Sequence, residues 1–431
     1  MMNNSDSVKL ELKNKILFTV WILLVYRLGT FVPVPGIDTN IIKKLFTSGG
    51  ADVFGMINLF SGGALERMSI FALNIMPYIT SSIIMQLLTS MHKGLESLKK
   101  EGDYGRSKIN QYTRYLTILL SLLQSIGVYY ALSNPENNAF ISESQLFAWT
   151  TCVSLVGGTV MLMWFGEKIT SSGIGNGISL IIFVGILSSL PSSFVQILDY
   201  SKTGVYSYSL VMLFSVAFLM FLMFVCFVEK CHKKVKIQYP GISSAKTFGS
   251  KESSFLPLKI NISGVIPPIF ASSILMSPIA IIQMMGYENL NIMHLLRRGG
   301  ELYFVTYSIL IVFFSYFYSS IVFNTEDVSS NLKKSGCFIL GVRPGLATSK
   351  FLDSVVAKLT MIGSAYLIII CIVPEIIVAK YSVPLTIGGT GVLIIVNVVL
   401  DVVNQVQSYI ISSRYGSVGQ GAKRRRLRVR A

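Results

Sequence analysis

The side chains able to do covalent or acid–base chemistry are few in this chain, and their spacing assembles no reaction centre. His92, His232 and His294 lie far apart, and Cys152, Cys226, Cys231, Cys337 and Cys371 are scattered and odd in number. Neither a metal site nor a disulfide framework is expected from them. Gly173-Ile-Gly-Asn-Gly177 is glycine-rich, but it opens an apolar stretch and follows no predicted strand. A dinucleotide site needs strand, tight turn and helix in succession. No phosphate loop ending in Gly-Lys-Ser/Thr, no H-E-x-x-H and no G-x-S-x-G is present, so no nucleotide chemistry and no catalytic pairing is predicted. Carboxylates inside apolar stretches often mark proton or ion pathways. Here Glu375 follows Pro374, and Asp401 lies among Asn397, Asn404 and Gln405. Interface anchoring or helix–helix hydrogen bonding is the first reading of both. The expectation is a chain without catalytic residues, cofactor or metal.

What the chain has instead is apolar length. Of 431 residues, 52% are hydrophobic and only 13% charged, with a mean hydropathy of +0.61. Soluble domains carry about 25% charged residues, so the composition points to a multi-spanning helical membrane protein. The alternating segments of a transmembrane β-barrel are missing. Ten spans are expected: 16–32, 70–88, 113–132, 146–165, 177–198, 210–228, 262–284, 303–323, 355–378 and 385–412. Pro33 is expected to end the first, since proline cannot continue a helical ladder. Residues 1–15 lack the apolar core of a cleavable signal, so the first span would direct insertion.

Residues 53–68 are apolar but too short and glycine-rich to span. Irregular backbone at membrane depth must be buried in protein or line a cavity, so a re-entrant half-helix is predicted there. Most of the 37 basic residues fall on one side of this ten-span scheme. By the positive-inside rule both termini are then cytoplasmic.

Orientation gives meaning to an internal echo. Pro77-Tyr-Ile-Thr-Ser-Ser-Ile83 in the second span is matched by Pro268-Ile-Phe-Ala-Ser-Ser-Ile274 in the seventh. The second span runs inward and the seventh outward. The chain therefore reads as two five-helix halves of opposite topology, 1–200 and 201–412, with a basic cytoplasmic tail at 413–431. An inverted repeat of this kind puts the working site between its halves. Two polar, basic loops, 229–261 and 325–354, are longer than attraction to anionic lipid requires. They read as docking surfaces for a large acidic partner, with RNA phosphate an obvious candidate. The tail Lys423-Arg-Arg-Arg-Leu-Arg-Val-Arg430 is expected to be unstructured and to touch lipid or RNA.

A set of ordered motifs carries a more specific resemblance. These are Phe60-Ser-Gly-Gly-Ala-Leu65, Ile75-Met-Pro-Tyr-Ile79, Lys99-Lys-Glu-Gly102, Gln111-Tyr-Thr-Arg-Tyr115, Gly173-Ile-Gly-Asn-Gly-Ile-Ser179, Leu256-Pro-Leu-Lys259, Gly264-Val-Ile-Pro267, Asn331-Leu-Lys-Lys-Ser-Gly336 and Arg343-Pro-Gly345. Together they resemble the SecY family of bacterial protein-translocation channels over nearly the whole chain.

The resemblance implies an all-α integral membrane fold. Its ten transmembrane helices form two inverted five-helix halves around a central pore, with a re-entrant plug half-helix near 53–68 that includes Phe60, Ser61, Gly62, Gly63, Ala64 and Leu65. It implies a ring of aliphatic residues at the narrowest point: Ile75, Ile79, Ile178, Ile182, Ile269 and Ile394. An apolar ring resists wetting when empty and offers a passing chain no hydrogen bonds. The 75/79 and 178/182 pairs are spaced to share a helix face. Spans two and seven would flank a lateral gate, with Ser81, Ser82, Ser272 and Ser273 as a polar seam or as plain helix-packing residues.

The implied partners are small single-span subunits like SecE and SecG, the SecA motor ATPase, the ribosome, signal-bearing precursor proteins and membrane lipid. Arg343 is the strongest candidate for partner docking, with Lys246 second. The 229–261 loop departs from the family pattern, reading Ser243-Ser-Ala-Lys-Thr-Phe248 where relatives often carry a basic run. The implied localisation is the bacterial cytoplasmic membrane, and the implied activity is non-enzymatic conduction of unfolded polypeptide with lateral release of apolar segments. A small-solute transporter or a poreless insertase are the alternatives. A transporter should carry polar ligands at its midplane, which the isoleucine-rich centre does not offer.

Overall fold

The computed structural model describes residues 4–37, 42, 61–132, 145–204, 207–238, 254–284, 300–381 and 388–428. In chain order the helices are α1 (Asn4–Gly29), α2 (Met76–Met91), α3 (Lys93–Lys100), α4 (Asp103–Leu132), α5 (Gln145–Ser172), α6 (Gly177–Lys202) and α7 (Tyr208–Lys230). They continue with α8 (Ile266–Met284), α9 (Glu301–Val322), α10 (Thr325–Lys334), α11 (Leu346–Tyr381) and α12 (Gly389–Arg428). Three short strands, β1 (His232–Gln238), β2 (Ser254–Lys259) and β3 (Phe338–Ile339), form an antiparallel sheet in the order β2-β1-β3.

Each of the ten apolar stretches contains a helix. Among the described residues, six helices are long and apolar enough to cross a membrane, lying within 147–172, 177–202, 208–230, 302–334, 346–378 and 389–411. The other four stretches do not meet that measure over their described residues. The second is the clearest departure. Its first residues, Ile70–Ile75, are turns, and α2 begins only at Met76. Pro77 sits at the start of this helix, where its missing N–H is no loss and its fixed φ suits the first turn. The echo prolines behave alike, Pro267 and Pro268 following directly on the first residue of α8.

α1 closes at Gly29, four residues before Pro33, which has no N–H to give the Gly29 carbonyl. A Cβ at Gly29 would lie 2.2 Å from the ring of Phe71, so a neighbouring segment approaches closely there. Pro33 forms an isolated bridge with Ser69. Two further expectations change. The basic tail is helical through Arg428; lysine and arginine are good helix formers and no proline interrupts them. The 229–261 loop begins and ends in strands, so the fold is not wholly α. Along His232–Gln238 Val235 and Ile237 are buried while the flanking residues are exposed, the period of two that a half-buried strand requires.

The chain gathers into two compact units, Met1–Val195 with Ile394–Ala431, and Gln196–Leu393. In the first, α2 packs on α4 and α5, α4 on α5, and α1 on α5. Its core joins Val34, Ile37, Leu65, Met68 and Leu73 to Leu155 of α5. In the second, α8 packs on α9, and α11 on α9 and α10. The sheet closes over Leu352 and Leu359 of α11 through Val235, Leu258 and Ile339.

Candidate functional site

Of the predicted half-helix at 53–68, Ser61 is helical, and from Gly62 to Ile75 the segment that precedes α2 is built from turns. Phe60 and the rest of 53–60 lie outside the described residues. Beyond them Gly62 and Gly63 have φ of 64° and 82°, and Met68 and Asn74 also have positive φ, 44° and 51°. Two successive left-handed glycines break a helix, because only glycine takes that conformation freely. The segment is nonetheless held tightly. Ser61, Ala64 and Leu65 are buried. Leu65 N–H donates to Ser61 Oγ at 3.4 Å, Val34 N–H to Met68 O at 2.9 Å, and Ile70 N–H to Val32 O at 3.0 Å. Arg27 of α1 donates to Gly62 O at 3.1 Å. A Cβ at Gly62 would meet Ser188 Oγ at 2.5 Å and Gly185 O at 2.7 Å, so this strap lies directly on α6.

Of the isoleucines, Ile75, Ile182 and Ile394 are buried, while Ile79, Ile178 and Ile269 are half-buried. Ile75 stands just before α2 instead of within it, yet Ile79 N–H donates to Ile75 O at 3.0 Å, so the two remain one turn apart. Ile178 Cγ1 lies over Gly166 of α5, 3.0 Å from where a Cβ would be. Five of the six belong to the first unit; Ile269 belongs to the second.

Three of the four serines spend their protons inside their own helix. Ser81 Oγ donates to Pro77 O at 2.8 Å, and Ser272 and Ser273 both donate to Ile269 O, at 2.9 and 2.8 Å. Ser82 Oγ accepts from Gln86 Nε2 at 3.5 Å, again within α2. This back-bonding is what small hydroxyls do when packed in an apolar helix.

The glycine motif at 173–177 is explained by packing. A Cβ would stand 2.5 Å from Thr19 Oγ1 at Gly173 and 2.1 Å from Gly166 O at Gly177; at Gly175 it would stand 3.2 Å from Val402, with φ 84°. The amides of the turn are satisfied by side chains of three helices. Ile174 N–H donates to Thr19 Oγ1 at 3.1 Å, Gly175 N–H to Gln405 Oε1 at 2.8 Å, and Gly177 N–H to Thr170 Oγ1 at 2.9 Å. Asn176 Oδ1 caps the start of α6 by accepting from Ile178 N–H at 3.1 Å. Helix starts leave such amides without intrahelical partners. Sequence reading missed Thr19, Thr170 and Gln405, because nothing local marks them; the bonds to Thr19 and Gln405 join residues far apart in the chain.

On the second unit the Arg343-Pro-Gly345 turn is exposed at Arg343 and fixed behind it. Ser329 Oγ donates to Gly345 O at 2.8 Å, and Thr348 Oγ1 to Arg343 O at 2.9 Å. Lys246 lies outside the described residues. Behind the sheet Asn261 bridges Glu229 and Gly264, a connection also not foreseen. Among the described residues no cluster of His, Cys, Asp and Glu is grouped to hold a metal ion.

Similarity to known proteins follows the same frame. The SecY family model matches residues 69–403. The chain belongs to the SecY family. A relative from Rickettsia bellii, "Protein translocase subunit SecY", is 44% identical, with 98% of this chain and 99% of the relative aligned. The protein of that name from Escherichia coli K12 is 43% identical over 94% of each. Among solved structures, one described as "The structure of a protein conducting channel" superposes with a TM-score of 0.68 at 19% identity, covering 93% of both chains. Another, "Sec61 in the Canine ribosome-channel complex from the endoplasmic reticulum", gives 0.64 at 19% identity with the same coverage. At that identity the superpositions show the SecY-family fold, and the sequence relatives carry the family assignment.

Proposed function

We propose that this SecY-family chain is a protein-conducting channel of the bacterial cytoplasmic membrane, with both termini cytoplasmic and ten spans in two inverted halves. Unfolded secretory polypeptide passes through the ring of Ile75, Ile79, Ile178, Ile182, Ile269 and Ile394. Apolar segments leave sideways between the span that ends in α2 and the span of α8. The observation that carries this reading is the strap at Gly62–Ile75. It is irregular backbone in an otherwise helical, apolar unit, buried on α6, held by Arg27, and continuous with the first two ring residues. Irregular backbone at membrane depth belongs where it is enclosed by protein or faces a cavity, which is the position of a plug.

Driving energy comes from partners: SecA-like motor ATPase or a translating ribosome, docked on the sheet and the Arg343 turn, with SecE-like and SecG-like subunits completing the channel. The sequence contains no phosphate-binding motif that would let the chain supply the energy itself. Reconstitution with small subunits, motor ATPase and a secretory precursor tests the reading. The precursor becomes protected from external protease if the chain conducts it; a precursor left fully digestible would overturn the proposal.

A further inference from the structure

Around the start of α6, three helices are locked in a closed circuit. On α1, Thr19 Oγ1 accepts from Ile174 N–H, and one turn earlier Lys15 Nζ donates to Tyr409 Oη of α12 at 3.2 Å and lies 4.8 Å from its ring centroid. On α12, one turn before Tyr409, Gln405 Oε1 accepts from Gly175 N–H at 2.8 Å, while Val402 packs on the same glycine. The turn that receives both helices leads directly into Gly177, Ile178 and, one turn on, Ile182. α12 carries Ile394 about three turns before Gln405.

We infer that Gln405 is a positioning residue for the constriction: through the Gly175 amide it fixes where α6, and hence Ile178 and Ile182, stands relative to Ile394. This rests on the channel reading proposed above. Gly175 sets the geometry. Its φ of 84° excludes most other residues, and it aims the amide at the glutamine oxygen. An amide acceptor suits the task, since it holds the backbone N–H without bringing charge to the turn. The amides of Ile174, Gly177 and Ile178 are held by α1, by α5 and by Asn176, and Gln405 supplies the bond to α12. Loss of Gln405 would release α6 from α12 without unfolding either helix. The isoleucines would then sample wider separations in the resting channel.

The test uses the full chain with its small membrane subunits, in planar bilayers without precursor and in parallel by hydrogen exchange. Gln405→Leu should speed exchange at the Gly175 amide and raise resting ion conductance between about two- and tenfold, the factor corresponding to one net hydrogen bond. Gln405→Glu, which keeps an acceptor oxygen, should restore both. Ile182→Asn serves as the control for the ring. Unchanged Gly175 exchange in Gln405→Leu overturns the junction. Faster exchange with unchanged conductance, while Ile182→Asn leaks, overturns the positioning role alone. Should Ile182→Asn also fail to leak, it is the ring reading that falls, and the positioning role with it.

Discussion

Asn261 Nδ2 donates to Glu229 Oε1 at 2.9 Å, joining the last turn of α7 to the loop that leads into α8. Its Oδ1 accepts from Gly264 N–H at 3.0 Å and from Ser263 Oγ at 3.2 Å, and Tyr366 Oη of α11 reaches Glu229 Oε1 at 3.4 Å. Glu229 is only 6% exposed. A buried carboxylate stands or falls with such partners. Asn261→Ala is expected to lower stability by about 2–4 kcal/mol and Tyr366→Phe by about 1 kcal/mol. Thermal unfolding of the purified chain in detergent checks the order and the gap between the two.

Glycine substitutions should separate collision from conformation. Gly177→Ala puts a methyl 2.1 Å from Gly166 O, backbone that cannot turn aside. Gly264→Ala meets nothing within 4 Å and carries only the strain of φ 65°, about 1–2 kcal/mol. We expect Gly264→Ala to fold with a lowered melting temperature, and Gly177→Ala to accumulate poorly or lose the packing of α5 on α6, read by expression level and limited proteolysis.

Polar substitution in the ring should raise resting leak without abolishing transport. Ile269→Asn is the cleaner choice, because Ile269 is half-buried whereas Ile394 is buried and also carries packing. A hydrogen-bonding side chain in an apolar constriction favours water there. The expected result is higher ion conductance with precursor protection retained; unchanged conductance would favour isoleucines that merely pack.

Arg27 should act as a fastening for the strap. Arg27→Ala removes the donor to Gly62 O and a guanidinium 5.1 Å from the Phe31 ring centroid. The loss is worth about 1–2 kcal/mol, or about five- to thirtyfold more frequent opening of the strap. Faster cysteine labelling at Ala64→Cys in the Arg27→Ala background checks it.

Charge reversal at Arg343 should uncouple partners from an intact channel. Arg343 is exposed while the bonds that hold its turn come from Ser329 and Thr348. Arg343→Glu should therefore leave melting temperature and resting conductance at wild-type values. Translocation driven by motor ATPase is expected to fall at least about tenfold, as when a charged interfacial contact is made repulsive, measured as protected precursor per unit time.

Composition and apolar periodicity by themselves determined that this is a helical membrane chain, which stretches hold its apolar helices, and how its loops are charged. Those features are local sums over twenty or so residues, and tertiary contacts do not overturn them. The ordered motifs determined the family, because so many short matches in sequence do not arise separately. Local reading also found the proline echo, but not that Pro77 begins a helix; only the buried turns of Phe71–Ile75, packed beside Gly29 and Leu155, decide that. The alternation at Val235 and Ile237 has the period of a half-buried strand, but the basic residues around it made the stretch read as a docking loop. What sequence could not reach are bonds between distant segments. Arg27 to Gly62, Thr19 to Ile174 and Gln405 to Gly175 join residues 35, 155 and 230 positions apart. The Gly173–Gly177 motif shows the division plainly. The sequence determined that a turn opens α6, and the tertiary structure decided that its glycines exist to let three helices close upon it.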